Sequence, residues 1–101
     1  MDIQKLMEQA RQMQNNLGKI EDELNQTEYE GKAGGNGVKV VINGKNEVQS
    51  VEIADDLMSL DNKEMLQDLL LIAVNEAVDK AYQDREEKLG SATNGLNLPG
   101  M

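Results

Sequence analysis

The side chains that carry most enzyme chemistry are either missing from this chain or stand in settings that give them nothing to do. There is no histidine, the commonest general base and metal ligand, and no cysteine, which removes thiolate nucleophiles, disulfides and Cys-based metal sites. The serines are Ser50, Ser59 and Ser91, and none sits in a nucleophile-elbow sequence. Paired carboxylates occur at Asp55-Asp56 and Glu86-Glu87, the right type for a divalent cation or for acid–base work. Adjacent side chains on a helix or link point apart, however, and nothing around these supplies a supporting shell. Gly34-Gly35-Asn36-Gly37 lacks the spacing of either phosphate-cradling glycine motif and reads as a turn, where Gly and Asn supply positive φ. The chain is therefore expected not to be an enzyme, to hold no metal or cofactor, and to take no small-molecule substrate.

What the sequence specifies instead is a set of elements. Ile3, Leu6, Ala10, Met13, Leu17, Ile20 and Leu24 alternate spacings of 3 and 4, a heptad seam. Residues 2–26 thus form a helix of about 37 Å at 1.5 Å per residue. Gly18 falls on its outer face. A stripe this narrow needs a partner helix to cover it.

Alternating segments follow. Tyr29, Gly31 and Ala33 share one strand face; Val38, Val40 and Ile42 face the core from a second strand. Asn43-Gly44-Lys45-Asn46 is a turn, and Val48 to Ile53 is a third strand with Gln49, Val51 and Ile53 on one face. Three strands joined by tight turns make an antiparallel meander. Asp61-Asn62-Lys63-Glu64 reads as a capping box opening a helix that runs to about Leu89. Met65, Leu66, Leu69 to Val74, Ala77 and Val78 make its first half apolar nearly all round, so it must be buried on more than one side. The sheet covers one side, and a second copy of the chain is expected on the other. The fold class is α+β in the order α-β-β-β-α, an intertwined homodimer. Residues 1–89 form one domain for dimerisation, and 90–101 a flexible tail. The expected dimer interface comprises Val40, Ile42, Leu66, Leu69, Leu70, Ala73, Val74 and Ala77.

With no Phe and no Trp, the core lacks the residues that bury the most area, and oligomerisation is the usual remedy in a small chain. Net charge is −9, and it is uneven: residues 1–48 hold six basic and eight acidic side chains, residues 49–101 four and eleven. Any affinity for nucleic acid must come from a local basic patch. No run of residues is long and apolar enough for a signal peptide or a membrane span, so a cytoplasmic location and no membrane partner are expected.

Several stretches together resemble the YbaB/EbfC family of bacterial nucleoid-associated proteins. Leu6-Met7-Glu8-Gln9-Ala10-Arg11-Gln12-Met13-Gln14 is similar to its Gln- and Met-rich opening helix, and Gly37-Val38-Lys39-Val40 with Asn43-Gly44 to its central hairpin. Val51-Glu52-Ile53, Lys63 to Leu69, Ala73-Val74-Asn75-Glu76-Ala77 and Gly95-Leu96-Asn97-Leu98-Pro99-Gly100 continue the likeness in order. The chain departs at Glu47-Val48-Gln49-Ser50, where some relatives carry basic residues. The resemblance implies a tweezer-shaped homodimer that binds double-stranded DNA, alters its path, and acts in nucleoid organisation and gene regulation. The candidate phosphate contacts are Lys5, Arg11 and Lys19 on the first helix, and Lys80, Arg85 and Lys88 near the end of the last. Binding is expected to be weak or sequence-tolerant. Two other readings stay open. The charges can simply solubilise helix faces, pairing with Glu8, Asp22, Glu86 and Glu87. Or the chain is an acidic protein–protein interaction module that docks a partner through its helices.

Overall fold

A computed structural model describes residues 2–93. The seam becomes helix α1, Ile3–Gln26, begun where the Asp2 carboxylate accepts from the Lys5 amide. It stops at Thr27, which turns to extended backbone while its hydroxyl donates to the Glu23 carbonyl at 2.7 Å. Strands β1 (Glu28–Ala33), β2 (Val38–Asn43) and β3 (Val48–Ile53) form an antiparallel sheet in the order β1-β2-β3. Gly34 and Gly35 take φ of +63° and +67° in the first turn, and Asn46 takes +62° in the second. Two short 3-10 turns, Asp55–Leu57 and Leu60–Asn62, lead into helix α2, Lys63–Thr93.

The expected strand faces form on β1 and β2. Tyr29 pairs with Ile42, Gly31 with Val40 and Ala33 with Val38, and the apolar members are buried. Helix α2 lies across this face through Ala73, Ala77 and Ala81, with Leu57, Leu66, Leu69, Leu70, Val74 and Val78 around the margin. Small residues let the backbones approach: a Cβ on Gly31 would overlap the Ala73 carbonyl. Each buried Val or Ile here contributes about 1.5–3 kcal/mol.

Three expectations need correction. The pairing jumps from Val41↔Ser50 to Ile42↔Val48, so Gln49 is the extra residue of a bulge. Val48, not Gln49, therefore joins Val51 and Ile53 on the core-facing side. Asp61 makes no capping hydrogen bond to Glu64; the chain enters α2 through a 3-10 turn instead, where Asn62 Nδ2 donates to the Asp56 carbonyl. Helix α2 also continues past Leu89 to Thr93. The expected mobility of the tail falls, from residue 94 onward, outside the described residues.

Helix α2 packs on β1 and β2 and leaves β3 largely uncovered. Val48 and Val51 are 55% and 48% exposed although they share the core-facing side. Helix α1 is held only towards its C-terminal end. Leu24 is buried and Ile20, Leu17 and Met13 half-buried, while Ile3, Leu6 and Met7 are exposed. The described chain therefore spans 71 Å along its longest axis and 15 Å along its shortest. Among the described residues no helix is long and apolar enough to cross a membrane.

Candidate nucleic-acid interface

The six candidate cations separate into two groups. Lys5, Arg11 and Lys19 stand exposed on α1, and none of the ion pairs among the described residues involves them. Lys5 and Lys19 each stand two residues beyond a seam residue, Ile3 and Leu17, as does Gln12 beyond Ala10. The seven-residue spacing puts Lys5, Gln12 and Lys19 in one row, at about 10 Å per step. Between Ile3 and Ile20 the only carboxylate is Glu8, against three cations. The projecting part of α1 is thus locally basic in an acidic chain.

The three candidate cations of α2 are engaged within the fold. Lys80 Nζ donates to the Glu30 carbonyl at 2.8 Å and pairs with Glu76 at 3.3 Å. Glu76 in turn accepts from the Lys32 amide at 3.4 Å, so the two side chains cover the outer edge of β1. Lys88 Nζ lies 3.0 Å from Asp84 Oδ2. Arg85 Nη2 donates to Asn25 Oδ1 at 3.0 Å and to the Gly44 carbonyl at 3.1 Å, with Nη1 3.9 Å from Glu21.

Asp84 Oδ2 also accepts from the buried Tyr29 hydroxyl at 2.7 Å. Burial first, then the hydrogen bond and negative charge of Asp84, push the Tyr29 hydroxyl up from 10.0 to about 12. Hydrogen bonds from Tyr29 and then Lys88 hold the Asp84 carboxyl below its ordinary 3.8, against the opposing effect of burial.

The paired carboxylates Asp55-Asp56 and Glu86-Glu87 are exposed. Among the described residues no group of three or more acidic side chains is arranged to hold a metal ion. A cleft of about 460 Å³ at the base of α1 is lined by Asp22, Asn25, Gln26, Glu28, Asn43, Lys45, Glu47 and Gln49. Its three carboxylates against one lysine make it a poor host for phosphate.

The residues expected at a dimer interface also divide. Val40, Ile42, Ala73 and Ala77 are 0–1% exposed within a single chain, inside its own core. Leu66, Leu69, Leu70 and Val74 are half-buried at the margin. Several exposed apolar side chains on β3, the link and α2 were not among those expected at the interface: Val48, Val51, Met58, Leu60, Leu71 and Ile72. For Val48 the sequence signal was present but masked by the bulge. For Leu71 and Ile72 it was the all-round apolar pattern itself.

Known proteins resemble the chain over nearly its whole length. The profile of the YbaB/EbfC DNA-binding family matches residues 1–96. A nucleoid-associated protein of Clostridium novyi is 43% identical over 101 residues, covering 100% of this chain and 89% of that protein. One from Chloroflexus aurantiacus is 46% identical over 96 residues, covering 95% and 96%. The crystal structure of the uncharacterized protein HP0035 from Helicobacter pylori superposes with a TM-score of 0.73 at 29% identity, covering 95% of this chain and 98% of that one.

Proposed function

Because the chain belongs to the YbaB/EbfC DNA-binding family, we propose that it is a nucleoid-associated protein that binds double-stranded DNA as a homodimer and alters its conformation. In this reading it acts at the nucleoid, in its organisation and in gene regulation. One observation carries the interface: Lys5, Arg11 and Lys19 project on a stretch of α1 with Glu8 as its only carboxylate, and among the described residues none of the three is held in an ion pair. Phosphate neutralisation by such cations supplies most non-specific affinity. Gln12, Asn15 and Asn16 add hydrogen-bond donors for phosphate oxygens without sequence readout. Overall charge opposes approach, so affinity is modest and favoured by low salt.

The homodimer is supported by what α2 leaves open. Val48 and Val51 continue the core-facing side of the sheet yet stay about half exposed among the described residues, and Leu71 and Ile72 are exposed on α2. Exposed apolar side chains of this kind are surface that a second copy can bury. A second copy covers it and sets a second α1 beside the first.

Fluorescence anisotropy with a labelled duplex, at about 50 mM and about 200 mM salt, tests the reading. Binding that weakens with salt and is insensitive to sequence is the expected result. No binding at the lower salt overturns it.

A further inference from the structure

Arg85 occupies the joint from which α1 departs. Its guanidinium Nη2 donates at once to Asn25 Oδ1, in the last turn of α1, and to the Gly44 carbonyl, in the β2–β3 turn. Its own backbone belongs to α2. Three elements that are distant in sequence therefore meet at one planar group. The joint is tight: a Cβ on Gly44 would overlap the Leu24 carbonyl, and Leu24 is 1% exposed. Glu21, one turn back along α1, lies 3.9 Å from Nη1. The neighbouring Asp84 binds Tyr29 of β1, so two consecutive residues of α2 hold the sheet and α1 respectively.

Beyond this joint α1 has little support, with Ile3, Leu6 and Met7 exposed. The tip at Lys5 is twenty residues from Asn25, about 30 Å. A rotation of about 10° at the base displaces the tip by about 5 Å over that length, comparable with the spacing of phosphates along a strand.

We infer that Arg85 is a positioning residue that sets the direction of α1, by pinning the last turn of that helix and the β2–β3 turn to α2, and not a phosphate ligand. The assignment of α1 as the DNA-contacting helix rests on the function proposed above; the mechanical role does not. An arginine fork suits the task because it offers several donors in one rigid plane, whereas a lysine ammonium is a point charge on a flexible stem.

The test uses the full chain, which has no native cysteine to interfere with labelling. Spin labels at Gln9→Cys on α1 and Ser50→Cys on β3, both exposed, report the angle of α1. Labelled chains are diluted with unlabelled protein so that only distances within one chain are read. Arg85 protein should give one narrow distance, and Arg85→Lys a broader or displaced distribution with unchanged circular dichroism. Asn25→Ala removes one acceptor and should broaden it less. If Arg85→Met fails to fold, the Lys and Asn25 variants still decide.

On DNA, Arg85→Lys should weaken binding about tenfold without changing the slope of log affinity against log salt. An unaltered distance distribution in both Arg85→Lys and Asn25→Ala overturns the proposal. So does Arg85→Lys binding like the parent while Arg85→Met lowers the salt slope by about 1 per chain, the signature of a phosphate contact. If the parent itself does not bind DNA, the functional reading fails, and the distances still judge the joint.

Discussion

The Tyr29 hydroxyl donates a 2.7 Å hydrogen bond to Asp84 Oδ2 across 55 residues of sequence, tying the first strand to the last helix. The bond needs Tyr29 protonated and Asp84 ionised, so it stabilises the fold between two pH limits. Tyr29 has a folded pKa raised to about 12 from 10.0. Its contribution is complete below pH 10.0 and is lost as pH rises through about 12. The Asp84 pKa is lowered from 3.8, so its contribution is complete above that value and is lost as pH falls through the lower folded value.

This titration is directly observable. The chain has two tyrosines, so Tyr82→Phe leaves Tyr29 as the only phenol. Phenolate absorbance in that variant should rise with a midpoint near 12. Tyr29→Phe should cost about 1 kcal/mol at neutral pH in a urea melt, and the deficit should shrink above pH 10.0. A deficit that stays constant across the alkaline range contradicts the pairing.

Glycines at close approaches should be intolerant, and those in open space should not. Gly31→Ala forces a methyl into the Ala73 carbonyl and should destabilise by about 1–3 kcal/mol as α2 is lifted from the sheet. Gly18 in α1 has nothing near it, and Gly18→Ala should stabilise by roughly 0.5–1 kcal/mol through helix propensity. Denaturant unfolding of the two variants gives opposite signs if the packing is as described.

Pairing of two copies should depend on the uncovered part of the sheet. Val51 is 48% exposed on the core-facing side, so Val51→Glu should leave the helical spectrum intact and shift sedimentation from dimer to monomer. Leu70→Glu, at the margin of the chain's own core, should also impair folding. A Val51→Glu protein that still sediments as a dimer places the interface elsewhere.

The two groups of cations should behave differently on DNA. Lys5→Ala and Lys19→Ala should each reduce the salt slope by about 1 per chain and weaken binding to all sequences alike. Lys88→Ala, which removes a partner of Asp84, should leave the slope unchanged and lower stability slightly. Anisotropy titrations across several salt concentrations separate the outcomes.

Much of the fold was legible because its signals are local. The alternating 3-and-4 spacing from Ile3 to Leu24 marks a helix, and the Gly34–Gly37 cluster a turn. The Tyr29, Gly31, Ala33 alternation marks a strand face; each signal is complete within a short window. The errors arose where a local pattern had a longer-range competitor. Val48-Gln49-Ser50 alternates without interruption in sequence, and only pairing with β2 shows that Gln49 is bulged out. Asp61 and Glu64 have capping-box spacing, yet Asp61 lies within a 3-10 turn whose Asn62 side chain donates to the Asp56 carbonyl.

The sequence by itself determined the order of elements and removed His- and Cys-based chemistry, since composition and short-period patterns need no partner to be read. Only the tertiary structure decided which charges are engaged within the fold. Lys5, Arg11, Lys19, Lys80, Arg85 and Lys88 look alike along the chain. Arg85 is set apart by Gly44 and Asn25, 41 and 60 residues away, and Lys80 by the Glu30 carbonyl 50 residues away. A cation's role depends on the acceptors that folding brings within hydrogen-bond reach, and those distances are written in no stretch of sequence.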